Sequence, residues 1–167
     1  MSAEAADEQL VERYRAAVMR RAAGVTVISA RLGGTDLAMT ATDVASVSLR
    51  PPMFLFTVYS DARLREALDD VDTWAVSVLD GAGARSAERL AEPGRPALGQ
   101  LIGVGHRRGA ASGAALLDDA QAWLECRTAW IRTAGDHDVV VGEVLEAQLG
   151  RTGTGALVHH LGRTRVL

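Results

Sequence analysis

The sequence predicts a mainly β protein whose strands close into an antiparallel barrel decorated by helices. Three observations carry this. Apolar runs of strand length recur along the chain, at residues 25–31, 35–41, 53–59, 73–79, 121–133 and 139–149. The connections between them are mostly short turns, not the regular helix crossovers that a doubly wound sheet requires. No internal repeat or linker divides the 167 residues, so one domain, 1–167, is expected. A chain of roughly this length buries about 70% of its unfolded surface and supports a full core.

In chain order, Leu10, Val11, Tyr14, Ala17 and Val18 share a helical face while Glu8, Glu12, Arg13 and Arg15 lie elsewhere. An amphipathic helix over 7–21, within the N-terminal segment 1–21, follows from that spacing. Gly33-Gly34 is a tight hairpin turn between strands 25–31 and 35–41. Then comes Thr40-Ala41-Thr42-Asp43-Val44-Ala45-Ser46-Val47-Ser48-Leu49-Arg50-Pro51-Pro52, a run of small and hydroxyl-bearing residues ended by two prolines. Such residues let a ligand approach the main chain, and the prolines deny two backbone donors. The run therefore reads as a ligand-facing stretch between two strands. Strand 53–59, a short helix over 62–68, strand 73–79 and a second helix over 84–91 follow. Glycines and prolines punctuate 92–119 without periodicity, which predicts a long loop. Two long strands, 121–133 and 139–149, are joined by a turn over 134–138, and short strands at 156–159 and 163–166 close the chain.

Composition excludes several classes. Net charge is −3 with a pI near 5.8, which argues against a surface built for nucleic acid. No apolar run approaches the roughly 18 residues of a membrane span, and the acidic start lacks the regions of a signal peptide. The lone Cys126 forms no internal disulfide. A cytoplasmic protein is expected.

Chemistry has few places to sit. Gly81-Ala82-Gly83-Ala84-Arg85-Ser86 follows a strand and opens a helix, mimicking a dinucleotide fingerprint. Its third position is Ser86, however, and no second parallel strand follows at the required distance, so a turn needing two flexible glycines explains it better. Cys126, His137, His159 and His160 lack the spacing of metal ligands, and no metal site is expected. Cys126, in an alternating strand, reads as a buried structural thiol. A nucleophile elbow is absent. What remains is the run from Thr40, with Ser60-Asp61-Ala62-Arg63 and Gly135-Asp136-His137. At a strand end meeting a helix start, Arg63 and nearby N–H groups suit either a phosphate or a plain helix cap with a surface arginine. His137 suits either a solvated turn or a catalytic role, and Arg163 and Arg165 suit solvent equally well.

At these residues the chain resembles the short-chain flavin reductases, the flavin reductase-like branch of the FMN-binding split-barrel proteins. The resemblance rests on an ordered set: Thr40-Ala41 through Ser46-Val47-Ser48 to Pro51-Pro52, then Ser60-Asp61-Ala62-Arg63 and Trp74-Ala75-Val76-Ser77-Val78-Leu79. Ala87-Glu88-Arg89-Leu90-Ala91, Trp123-Leu124-Glu125-Cys126, Gly135-Asp136-His137 and the closing His160-Leu161-Gly162-Arg163 complete it. Together they span about residues 18–167. The chain departs from the family pattern at Ser77, Leu90, Thr164 and Asp43, positions expected to touch the flavin or the nicotinamide pocket.

The resemblance implies a homodimeric split β-barrel that binds FMN or FAD near the subunit interface and reduces it with NADH or NADPH. The reduced flavin would then serve a partner monooxygenase. Thr40, Ala41, Thr42, Asp43, Ser46, Val47 and Ser48 would line the isoalloxazine and ribityl chain. Ser60 and Arg63 would sit near the phosphate, with Arg85 or Ser86 as a second anchor. His137 would lie near the nicotinamide, as the catalytic residue, and Arg163 near either nucleotide. The cofactor supplies the redox chemistry, so a site made of small residues and main chain is sufficient. A flavin carrier, or a flavoenzyme acting on a separate organic substrate, is the alternative on the same barrel.

Overall fold

Two glycines in the left-handed region, Gly33 at φ 56° and Gly34 at φ 86°, fold strand β2 (Thr26–Leu32) back onto β3 (Thr35–Ala41). A two-residue hairpin turn of this type needs positive φ at both central positions. Upstream lie helix α1 (Ala3–Val18) and the two-residue strand β1 (Ala23–Gly24). The computed structural model describes residues 3–92, 94–96, 98–150 and 153–167. Among them no helix is long and apolar enough to cross a membrane.

After β3 come β4 (Val44–Leu49), β5 (Pro52–Tyr59), the short helix α2 (Arg63–Ala67) and β6 (Thr73–Leu79). A 3-10 turn, Gly81–Gly83, leads into α3 (Ala84–Ala91). The small hairpin β7 (His106–Arg108) and β8 (Ala115–Leu117) precedes the long pair β9 (Ala120–Ala134) and β10 (His137–Leu149). Strands β11 (Leu157–His160) and β12 (Arg163–Val166) end the chain. Seven strands form one antiparallel sheet in the order β3-β2-β6-β9-β10-β5-β4. Its two end strands are joined only by Thr42-Asp43. Three Cα–Cα steps span at most about 11 Å, so the sheet must curl until its ends approach each other. The expected barrel is the result, left split between β3 and β4. Register shifts at Val141/Gly142 and Val144/Glu146 help β10 coil around it.

The barrel interior is filled by Ile28, Phe56, Val58, Trp74, Val76, Cys126 and Val140, with Leu64, Ala67 and Leu68 packed against it from α2 and the turn after it. Phe56 meets Trp74 edge-on at 4.9 Å. Gly142 lets the indole pass, since a Cβ there would lie 2.6 Å from Trp74 Cζ2. Truncating a buried aromatic of this kind costs about 3–5 kcal/mol. Outside the barrel, a second core joins Val25, Val27, Ala38 and Ala75 to Ala87 and Leu90 of α3 and to Leu101, Val104, Leu116 and Leu117.

Three expectations are corrected. The run after Thr40 contains a strand, β4, because the apolar β5 offers it a partner from Val44↔Phe56 to Leu49↔Pro52; Ala and Ser have weak strand preference of their own. The 92–119 segment contains the β7–β8 hairpin, whose tip is pinned from elsewhere: Glu125 Oε2 accepts from Ala111 N (2.9 Å), Ser112 N (2.7 Å) and Ser112 Oγ (2.8 Å). Neither Gly81 nor Gly83 is at positive φ. They are needed for space, since a Cβ would lie 2.8 Å from Thr154 Oγ1 at Gly81 and 3.0 Å from Asp119 O at Gly83.

The expected N-terminal helix forms with other bounds, Ala3–Val18 instead of 7–21, and Leu10, Val11, Tyr14 and Val18 on its apolar face are exposed.

Candidate functional site

The inner wall of the site is β3. Thr40 Oγ1 donates to Ala87 O at 2.7 Å, tying the strand to α3. Behind it, Ala41 is buried and its carbonyl accepts from Thr26 Oγ1 at 2.8 Å. Two cavities flank Thr40. The larger, about 670 Å³, lies between Leu37–Thr40 of β3, the β5–α2 turn (Tyr59 and Asp61 to Leu64), and the end of α3 with Arg95 and Gln100. The smaller, about 250 Å³, is lined by Thr40, Thr42, Glu88, His159 and Thr164, with Val25, Ala87 and Ala91. Both include Thr40 and Ala91, so they meet there. The larger falls within the usual volume of a small-molecule site.

Of the residues expected to bind a cofactor, Thr40, Thr42 and Arg63 line these cavities. Arg63 is exposed and makes no ion pair among the described residues. Asp43 is exposed and paired with Arg21. Ser46, Val47 and Ser48 lie along β4 and line neither cavity; Ser48 Oγ accepts from Arg50 N at 3.1 Å. The Ser60 hydroxyl is turned away, donating to Asp138 Oδ1 at 2.8 Å. Asp138 also accepts from Arg65, and these two donors hold its carboxyl below the usual range, Ser60 foremost. Ser60 therefore fixes the turn that presents Arg63. Arg85 is exposed on α3, whereas buried Ser86 points at Asp119 Oδ2, 3.4 Å away. Arg163 is exposed at the start of β12, next to Thr164 of the smaller cavity.

His137 sits one ring behind the larger cavity. It pairs across strands with Tyr59, and the two rings stack at 4.1 Å and 36°. Tyr59 lines the cavity. The imidazole Nδ1–H donates to Asp136 Oδ1 at 2.7 Å, and this bond holds the Asp136 carboxyl below its ordinary range. A carboxylate on Nδ1 leaves Nε2 as the free ring nitrogen. Cys126 is buried in the barrel, where burial and the neighbouring Glu125 push its thiol up to about 12. A thiol so protonated is no nucleophile.

Sequence reasoning missed Tyr59, Arg95 and Gln100 in the larger cavity, and Glu88 and His159 in the smaller. Of the departures from the family pattern, Leu90 and Thr164 do line cavities. Ser77 does not: its hydroxyl accepts from Leu117 N at 3.0 Å, holding β8 to β6.

Residues 18–167 match the flavin reductase like domain. The chain is 35% identical to the reductase component of 4-hydroxyphenylacetate 3-monooxygenase from Thermus thermophilus, over 93% of this chain and 97% of that one. It is 39% identical to an NADH-dependent FAD reductase from Streptomyces globisporus, over 74% and 68% of the two chains. Among solved structures, BorF, the flavin reductase component of a bacterial two-component tryptophan halogenase, superposes with a TM-score of 0.86 at 36% identity, covering 93% of this chain and 96% of its own.

Proposed function

This chain belongs to the family of flavin reductase like domains, and from that premise we propose that it is an NAD(P)H-dependent flavin reductase. It transfers a hydride from NADH or NADPH to FMN or FAD and supplies the reduced flavin to a partner monooxygenase. The observation that carries this reading onto the chain's own residues is the pair of cavities meeting at Thr40 along one strand wall.

The donor set suits a phosphorylated, flat-ringed ligand. Leu37 and Met39 of β3 offer apolar surface beside Ala38 and Thr40, Tyr59 adds an aromatic one, and Arg63 is a cation with no carboxylate partner among the described residues. Bound flavin supplies the two-electron acceptor chemistry. The protein's own residues bind and orient. Thr40 and Thr42 face the ring with Ala41 behind them, and Asp43, Ser46, Val47 and Ser48 extend the same run along β4. Arg63 takes the phosphate from a turn fixed by Ser60, and His137 meets the nicotinamide at the rim beside Tyr59. Arg85, Ser86 and Arg163 lie outside both cavities and in this reading act as outer supports.

A homodimer completes the proposal. The apolar face of α1 and the edge strand β4 both present hydrophobic side chains to solvent, which a second copy would cover. The proposed location is the cytoplasm, where a lone buried Cys126 suits a reducing environment.

The deciding assay is consumption of NADH and NADPH, followed by their absorbance, with and without added FMN or FAD. Consumption that depends on added flavin is expected. No consumption alongside a flavin-induced rise in Tm would replace the reductase with a flavin carrier.

A further inference from the structure

Arg95 stands in the wall of the larger cavity, and the fold leaves its charge unanswered. Nη2 donates to Ala38 O at 3.0 Å and Nη1 to Glu92 O at 2.8 Å, both neutral carbonyls. Nε is buried with no hydrogen-bond partner, and Arg95 makes no ion pair among the described residues. Burial disfavours the charged form and lowers the guanidinium's pKa, with Glu92 pulling weakly the other way. With Nε enclosed and only two neutral carbonyls on Nη1 and Nη2, the cation is incompletely compensated, and the second hydrogens of Nη1 and Nη2 are the ones an anion would take.

The side chain is also held in place. Gln100 Oε1 accepts from Ala38 N at 2.8 Å and its Nε2 donates to Pro96 O at 3.2 Å. Arg95 and Gln100 thus take both backbone groups of Ala38, which docks the guanidinium on the edge of β3. Arg63 lines the same cavity. Two arginines without carboxylate partners around one cavity are the arrangement that planar, multidentate recognition of phosphate uses.

We propose that Arg95 is an anion contact of the larger cavity, taking together with Arg63 the phosphate or diphosphate of the bound nucleotide. The inference rests on the reductase reading, and that phosphate belongs to the flavin nucleotide or to the nicotinamide dinucleotide. Asp61 and Glu92 also line the cavity, so the ligand's charge is met by the two guanidinia rather than by a uniformly basic surface.

The test compares wild type with Arg95→Gln, which retains a donor for the carbonyls but removes the charge. Dissociation constants for riboflavin, FMN and FAD are read by flavin fluorescence, and the KM for NADH is read with riboflavin as acceptor. If the flavin phosphate is the ligand, FMN and FAD weaken roughly tenfold, the scale of one charge-assisted hydrogen bond, while riboflavin is unchanged. If the dinucleotide is the ligand, the KM for NADH rises by a similar factor while the flavin constants hold.

Equal weakening of riboflavin and FMN, or no change in any of the four beyond about twofold, overturns the proposal. Should Arg95→Gln fail to fold, inorganic pyrophosphate on the wild-type protein decides the matter. It should compete with FMN or with NADH but not with riboflavin, and absence of competition overturns the proposal. The binding arms need no turnover, so failure of the reductase reading would be seen separately in the NADH assay.

Discussion

The two end strands of the seven-stranded sheet leave Thr42-Asp43 in opposite directions and are finished in different ways. β3 is closed from within the chain. Arg95 and Gln100 occupy the C=O and N–H of Ala38, and Thr40 ties the strand to α3. β4 carries Val47 and Leu49 into solvent, 47% and 83% exposed, and among the described residues no further strand pairs beyond it. An open edge invites pairing with another chain. The first edge lines a cavity, and the second is the one that the proposed homodimer would cover. An edge whose hydrogen-bonding groups are answered within the chain can serve as a cavity wall, whereas an interface needs one whose groups are still open.

The largest effect should come from spoiling the open edge. Val47→Asp combined with Leu49→Asp places carboxylates where the proposed interface excludes water. An unpaired buried charge costs about 3–5 kcal/mol, enough to dissociate a dimer at micromolar protein. Light scattering on the eluting peak should show a dimer for wild type and a monomer for the variant. A wild-type monomer, or a variant that stays dimeric, would remove β4 from the interface.

A smaller effect should come from spoiling the closed edge. Gln100→Leu keeps the volume but strips the acceptor from buried Ala38 N–H, and an unsatisfied buried donor costs about 1–3 kcal/mol. Urea unfolding should show that loss with the dimer intact. Unchanged stability would mean that the edge closes without Gln100.

The same contrast explains what the amino-acid sequence discloses. β2–β3 is legible because Gly33-Gly34 and the flanking apolar runs are local signals, and β6, α3 and β12 are read with the bounds they have in the structure. β4 is not, since its six residues include two serines and an alanine and its pairing depends on β5. β7 and β8, three residues each among glycines, depend on Glu125 far downstream. Within the site, Thr40, Thr42 and Arg63 stand out as residue types in a revealing run. Arg95 and Gln100 do not, because their meaning lies in contacts 57 and 62 residues away with Ala38. Direction is also hidden: the hydroxyls of Ser60 and Ser86 are present as foreseen but turn to Asp138 and Asp119.

Between the two edges lies His137, which joins β10 to the end of β5 through Tyr59. Its contribution should be the smallest of the three, because it touches the larger cavity only through Tyr59. His137→Ala removes the ring that backs Tyr59, and an aromatic stack of this kind is worth about 0.5–1.5 kcal/mol, so KM for NAD(P)H should rise about two- to tenfold. KM for flavin should move less, since the cavity walls at Thr40 and Arg63 are untouched. A purely structural role would raise both constants together or lower Tm alone. Restoring a flat ring with His137→Phe should recover the nicotinamide KM if stacking is the whole contribution. Failure of that rescue, with Tyr59 still ordered, would point instead to the free Nε2 that Asp136 leaves exposed to the ligand.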